Sequence, residues 1–117
     1  MYSNTGYTLL GLIVKRVSGK TLAAFAKERM FEPLGMRNTF FHENYGTLVP
    51  GRAASYEPNP YGGYRYLALS YSTVGATSLF TTASDLALWD RNFYDGRIGG
   101  KDLLAQIHTT GQLNSGK

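Results

Sequence analysis

Three polar residues with reactive side chains stand together near the start of the sequence, as Tyr2, Ser3 and Asn4. A tyrosine acts as a general base only when nearby cations lower its pKa from about 10. An asparagine offers two donors and one acceptor on a flat group, which suits it to orient an amide. Because residues at i and i+2 of an extended segment point the same way, Tyr2 and Asn4 can face one substrate together.

The same residues also have a purely structural interpretation. Ser3 or Asn4 would cap the helix that follows, and Tyr2 would pack on its first turn. Spacing alone leaves both interpretations open.

Other stretches with catalytic or binding associations have simpler explanations. The letters "SGKT" resemble the end of a phosphate loop, but Val14 stands where such a loop needs glycine, so we predict a junction between two helices. The letters "HTTG" place His108 at a helix C-terminus, where it interacts favourably with the helix dipole. His42 and His108 are not at ligand spacing, cysteine is absent, and there is no G-x-S-x-G, so neither a metal site nor a nucleophile elbow is predicted.

Helical periodicity identifies the elements that must position these residues. Leu9, Ile13 and Val17 recur at helical spacing in the first helix, and Gly19 closes it as a residue with positive φ. The second helix is predicted to end just before Pro33, because the residue that precedes a proline avoids the helical region.

The third helix begins with Thr82-x-x-Asp85, which resembles a capping box with aspartate in place of glutamate. Leu86, Trp89 and Phe93 give this helix one apolar face. A fourth helix follows after a glycine-rich turn. The four predicted helices span about 5–17, 21–31, 83–94 and 101–108.

Residues 38–80 lack helical periodicity and are interrupted repeatedly by proline and glycine. Most of the nine tyrosines fall here, where they either line a groove or fill a loop that has few aliphatic residues. Apart from a short strand near Arg65–Leu69, the segment is predicted to be irregular. The expected fold is therefore mainly α, with little or no sheet, in a single partial domain over residues 1–117.

The run "YSNTGYTLLGLIVKRVSGKTLAAFAKERMFEPLGMRNTFF" contains a Tyr-x-Asn signature at Tyr2 and Asn4. It is similar to the middle of the serine β-lactamase-related family, which includes class C β-lactamases, D-Ala-D-Ala carboxypeptidases, D-aminopeptidases and esterases. The later "LFTTASDLALW" is similar to the family pattern GGL-x-STA-x-DLA. The resemblance covers nearly the whole chain and implies the helical region of the family's α/β fold.

The resemblance implies acyl transfer without a cofactor. In that family, the serine of a Ser-x-x-Lys motif attacks an amide or ester carbonyl, the tyrosine handles protons, and the asparagine orients the substrate. Tyr2 and Asn4 are the implied catalytic residues, and the substrate would be a small-molecule amide, β-lactam or ester. This sequence has no Ser-x-x-Lys and no Lys-Thr-Gly or His-x-Gly third motif. We therefore expect a central fragment of a serine hydrolase that is inactive alone.

Two other interpretations remain open. The chain could be a free-standing helical module that binds a partner or self-associates through an exposed apolar face. It could also be a miniature esterase that uses Tyr2, Ser3 or Ser78.

The sequence departs from the family pattern at one turn. Thr77 and Ser78 stand in "VGATSL" where the family commonly has glycines, which predicts an altered turn.

Composition excludes several other classes of protein. The net charge is +4, but lysine and arginine are scattered, so nucleic-acid binding is not expected. No apolar run could span a membrane, and no signal-peptide pattern is present. Members of the family are often periplasmic or secreted in bacteria, so the compartment is left open.

Overall fold

The computed structural model describes residues 2–67, 73–112 and 114. Helices occupy both ends of the described chain, and short strands lie between them. In chain order the elements are α1 (Asn4–Ser18), α2 (Leu22–Ala26), a π-helical turn (Lys27–Phe31), α3 (Glu32–Leu34), β1 (Phe40–Phe41), β2 (Tyr56–Pro58), β3 (Tyr64–Tyr66), β4 (Leu79–Phe80), α4 (Ala83–Asp95) and α5 (Gly100–His108).

Helix α1 is bounded by side chains that satisfy its free backbone groups. Ser3 is extended and its hydroxyl accepts a hydrogen bond from the Gly6 amide at 3.2 Å. At the other end Gly19 has φ 71° and its amide donates to the Lys15 carbonyl, so the predicted glycine end of this helix is confirmed. Lys15 and Arg16 lie in the last turn, where the dipole favours positive charge.

The second helical run does not stop before Pro33, and that prediction is wrong. Helix α2 passes through the π-helical turn into α3, which ends only at Gly35, where φ is 78°. In the π-helical turn the Glu32 amide donates to the Lys27 carbonyl, one residue further back than in an α-helix. We attribute the tolerance of proline to this wider turn, since the missing amide and the ring then disturb the regular ladder less.

The prediction of a mainly α fold with little or no sheet is also wrong. Within the described residues, four short strands form two antiparallel pairs inside the segment predicted to be irregular. Strands β1 and β4 pair Phe40 with Phe80, although the two residues lie far apart in sequence. Local periodicity fails here because strands of two or three residues carry almost no repeating pattern, and their stability comes from cross-strand aromatic pairs.

The second pair, β2 and β3, is a hairpin that pairs Tyr56 with Tyr66, and their rings meet edge to face at 6.3 Å. Glu57 and Arg65 form an ion pair across the strands at 2.8 Å. Strand β3 overlaps the strand predicted near Arg65–Leu69, but Leu69 lies outside the described residues.

The core is small and lies where the second helical run meets α4. Its buried members come from the second helical run and the turn after it, and Trp89 of α4 packs against them. Leu104 is the buried apolar residue of α5. The buried cluster in the second helical run and the turn after it is Ala26, Phe31, Leu34 and Met36.

The chain exposes far more surface than a protein of its size usually does. Its accessible area is 9369 Å², whereas a folded monomer of 12.9 kDa typically exposes about 6,300 Å². Its radius of gyration is 17.3 Å, against about 13 Å for a compact domain of similar length. Among the described residues, no helix has the length and apolar character needed to cross a bilayer, and no cluster of metal-ligating side chains occurs.

Candidate active site

The three residues singled out from the sequence lie at the entrance to α1. Ser3 is the N-cap, with φ −144° and ψ 115°, and its hydroxyl is engaged by the Gly6 amide. Asn4 is the first helical residue, and its carbonyl accepts a hydrogen bond from the Thr8 hydroxyl at 3.1 Å. The cap is thus supplied by Ser3, which leaves the neighbouring phenol and carboxamide side chains outside the capping interaction.

Tyr2 is 70% exposed, and its ring packs against the ring of Tyr7 with centroids 5.4 Å apart. This contact and the Ser3 cap match the structural interpretation of the motif. They fix the tyrosine over the first turns of α1 while most of its surface remains open to solvent. The ring contact with Tyr7 and the exposure of Tyr2 are both compatible with a phenol that is presented to a substrate.

A tight turn supports the first turns of α1 from the side. Gly75 has φ 107°, and a Cβ atom built on it would come 2.6 Å from the carbonyl oxygen of Tyr7. Gly11 approaches the same turn, since its built Cβ would lie 3.4 Å from the Val74 carbonyl oxygen. Only glycine at position 75 permits this approach, so the turn packs directly against the backbone of the first turns of α1.

The role of Asp85 differs from the one that the sequence pattern indicated. Its Oδ2 atom accepts hydrogen bonds from the Asn38 amide at 2.7 Å and from the Thr39 hydroxyl at 2.8 Å, and the side chain is 3% exposed. Thr82 caps α4 as predicted, by accepting from the Asp85 amide at 3.2 Å. The carboxylate does not complete a capping box but ties α4 to the turn before β1. The capping pattern located the residue, while its partners lie 46 and 47 positions away.

The other residues that the sequence singled out either cap or pack against helices or lie in a strained stretch of backbone. Thr21 caps α2, so the "SGKT" stretch is a junction between helices, as predicted. His108 lies in the last turn of α5, with its ring 5.8 Å from that of Phe93. Ser78 has φ 73°, the left-handed region that favours glycine, at a position where the family commonly has glycine.

His42 is buried, and its Nε2 lies 3.0 Å from the Thr47 carbonyl oxygen. Its ring meets Phe80 edge on at 5.2 Å, and its amide donates to the Ser78 carbonyl at 2.8 Å. These contacts place His42 within the packing at the end of the β1–β4 sheet.

Helix α1 carries a broad apolar face that nothing covers among the described residues. Gly11 and Val14 turn toward α2 and the turn at Gly75, while the opposite side of the helix faces solvent. Val17 on that side is 83% exposed. A helix that is apolar on both sides is normally buried on both sides. The other exposed apolar residues of this face are Leu9, Leu10 and Ile13.

The fold and the Tyr-x-Asn motif are those of a known protein family, as comparison with known proteins shows. The family model described as Beta-lactamase matches residues 1–114, so the chain belongs to the β-lactamase family. This is the serine β-lactamase-related family that the motifs indicated.

Named relatives include penicillin-binding proteins and carboxypeptidases. The chain is 28% identical over 129 residues to penicillin-binding protein 4* of Bacillus subtilis (strain 168), covering 100% of this chain and 29% of that protein. It is 29% identical over 101 residues to a putative D-alanyl-D-alanine carboxypeptidase of Escherichia coli (strain K12), covering 86% of this chain and 22% of the relative. The octameric penicillin-binding protein homologue from Pyrococcus abyssi superposes with a TM-score of 0.84 at 26% identity, over 97% of this chain and 26% of the other. The chain thus spans less than a third of each of these proteins.

Proposed function

We propose that this chain is the central segment of a serine hydrolase that transfers acyl groups from an amide, β-lactam or ester. In this proposal Tyr2 is the phenol that moves protons, and Asn4 is the carboxamide that orients the substrate. The nucleophilic serine and the third motif are supplied by other segments, so the chain alone is inactive. The single partial domain predicted for residues 1–117 is part of this proposal.

The observation that carries the proposal is the Tyr-x-Asn motif at the mouth of a helix whose outer face is bare. Ser3 alone caps α1, which leaves Tyr2 and Asn4 available on either side of an extended residue. Because Ser3 is extended, we expect the two flanking side chains to reach toward the same side of the chain. The excess of about 3,000 Å² over a typical monomer's surface is more than one partner usually contributes to an obligate interface, which buries about 2,000–5,000 Å² over both partners together.

The chemistry requires groups beyond those present. Covalent catalysis needs a hydroxyl whose proton is removed as it attacks the carbonyl carbon, with the proton passed on to the leaving group. No serine of the sequence is followed by lysine three positions later, so the usual activated hydroxyl of this family is missing. A site that keeps the proton carrier but lacks the nucleophile loses the covalent route.

The test is to graft residues 1–117 into a relative in place of the matching segment, with penicillin-binding protein 4* as the host. We expect the chain alone to leave nitrocefin, p-nitrophenyl esters and D-amino-acid amides unhydrolysed, and the chimaera to hydrolyse at least one of them. In the chimaera, Tyr2→Phe and Asn4→Ala should lower kcat by at least about a hundredfold. Tyr7→Phe is the matched control, because it removes the hydroxyl of a tyrosine in α1 and keeps the ring that packs against Tyr2.

A folded chimaera whose activity survives Tyr2→Phe would overturn the catalytic assignment. Hydrolysis by the purified chain itself, abolished by Ser78→Ala, would instead favour the miniature esterase. Both outcomes require that circular dichroism shows the variants to be folded.

A second candidate is a self-associating module, favoured by the exposed apolar residues of α1. The relative from Pyrococcus abyssi is octameric, and bare apolar faces of this kind mark interfaces. Sedimentation of the chain distinguishes the two proposals. Stable oligomers that dissociate in a Leu10→Lys and Val17→Lys double variant support self-association, whereas a monomer that gains activity only in the chimaera supports the hydrolase segment.

A further inference from the structure

A groove of about 550 Å³ lies between the β1–β4 sheet and the segment Val49–Ala53. Phe40 and Phe80 form its aromatic wall, and their rings stack with centroids 5.7 Å apart and planes inclined by 11°. The groove belongs to a different part of the fold from Tyr2 and Asn4, which stand at the N-terminus of α1.

A cation is held in place on this wall. The Cζ atom of Arg52 lies 5.0 Å from the centroid of the Phe80 ring, within the range of a cation–π interaction. Arg52 is only partly exposed as a residue, and the Phe80 ring lies over one side of its guanidinium. Arg52 also borders a neighbouring cavity of about 420 Å³, and thus forms part of the rim between the two spaces.

Two arginines and no carboxylate are found among the described residues that line this groove. Arg37 is the second of these arginines. The ion pairs found in the described part of the chain involve other basic residues. The carboxylate of Asp85 lies behind the groove wall, where it is buried and its Oδ2 atom accepts from Asn38 and Thr39, so it is not among the residues that a ligand in the groove would meet.

We propose that this groove binds a small organic carboxylate whose apolar or aromatic body rests against Phe40 and Val49. A guanidinium presents parallel N–H donors that match the two oxygens of a carboxylate, and the match is strongest where water is partly excluded. The mixed walls, with Phe40, Val49 and Phe80 beside the arginines, suit an organic anion better than inorganic phosphate, which has no apolar part to bury. The proposal is independent of the acyl-transfer assignment, since it uses none of the residues at the start of α1.

The test is a titration of the complete 117-residue chain with benzoate, followed by ¹H–¹⁵N NMR. Benzamide has the same shape without the charge, and inorganic phosphate has charge without the ring. We expect benzoate to shift the signals of residues 40, 52 and 80 saturably and at least tenfold more tightly than either control compound. Arg52→Gln should weaken benzoate binding at least tenfold, and Arg37→Gln by a smaller factor. Arg91→Gln alters an exposed arginine of α4 outside the groove, and should leave binding unchanged.

Arg52→Gln also removes the contact with Phe80, so Arg52→Lys is the companion variant. Lysine keeps a cation near the ring but lacks the paired donors, and we expect it to bind benzoate more weakly than arginine and more tightly than glutamine. Unfolding followed by the fluorescence of Trp89 verifies that each variant is folded. Equal shifts with benzamide or phosphate, or full benzoate affinity in folded Arg52→Gln, would overturn the proposal.

Discussion

The hydrogen bonds of Asp85 connect two segments that are far apart in sequence, so its removal tests the stability of the fold. Its buried carboxylate oxygen joins α4 to the turn before β1 through Asn38 at 2.7 Å and Thr39 at 2.8 Å. Asp85→Ala removes the acceptor while both donors stay in place. The variant therefore measures how strongly the two parts of the chain are held together.

The expected loss follows from the two contacts. A hydrogen bond to a charged group contributes about 1.5–3 kcal/mol, and a buried donor left without a partner costs a similar amount. The Thr39 hydroxyl retains the Thr81 hydroxyl at 2.8 Å, which offsets part of the loss. We therefore take the lower end for each contact and expect Asp85→Ala to lower the free energy of unfolding by about 3 kcal/mol.

Urea unfolding followed by Trp89 fluorescence gives the measurement, because this is the chain's single tryptophan and lies one turn after Asp85. Asp90→Ala removes an exposed carboxylate from the same helix, and should change the free energy by less than about 0.5 kcal/mol. Asp85→Asn keeps the shape of the side chain but loses its charge, so its loss of unfolding free energy should lie between those of Asp85→Ala and Asp90→Ala. If Asp85→Ala and Asp90→Ala unfold at the same urea concentration with equal slopes, the reasoning is refuted.

Three further outcomes follow from strained or charged positions. Ser78→Gly should raise the free energy of unfolding by about 1 kcal/mol relative to Ser78→Ala, because glycine adopts φ 73° without a Cβ clash; equal urea midpoints would contradict this. Gly75→Ala should lower it by about 2 kcal/mol, since its Cβ would meet a backbone oxygen at 2.6 Å, whereas Gly111→Ala, with open space around it, should not. The hydrogen bond and charge of Lys20 lower the pKa of Glu28, so Lys20→Gln should raise that pKa toward its ordinary value in a carboxyl ¹³C NMR titration. Because the pKa of Glu28 is lower in the folded chain than in the unfolded chain, the ion pair stabilises the fold fully at a pH above the unfolded pKa. That stabilisation is lost as the pH falls through the folded pKa. A Glu28 titration that Lys20→Gln leaves unchanged would exclude the contact in solution.

Local chemistry made part of this structure predictable. The end of α1 at Gly19 and the cap of α4 at Thr82 depend on backbone groups within a few residues, so the local sequence contains all that determines them. The motif at Tyr2 and Asn4 indicated the family, which the match over residues 1–114 shows.

The features that sequence analysis missed depend on partners far away along the chain. The pairing of Phe40 with Phe80, and the reach of Asp85 to Asn38, join segments that no local window contains. The stacking of Arg52 on Phe80 has the same origin. A pattern in one segment cannot indicate which distant segment will complete it.

The π-helical turn has a consequence for how the chain tolerates changes in length. Ala26 and Phe31 are both buried in the same core although they are five residues apart, a spacing that an α-helix would place on diverging sides. The wider turn therefore acts as a one-residue insertion that the helix has absorbed. Deleting one residue between 27 and 30 would restore ordinary spacing and keep the phenylalanine facing inward, so this short stretch is where the sequence can lose a residue without losing its register.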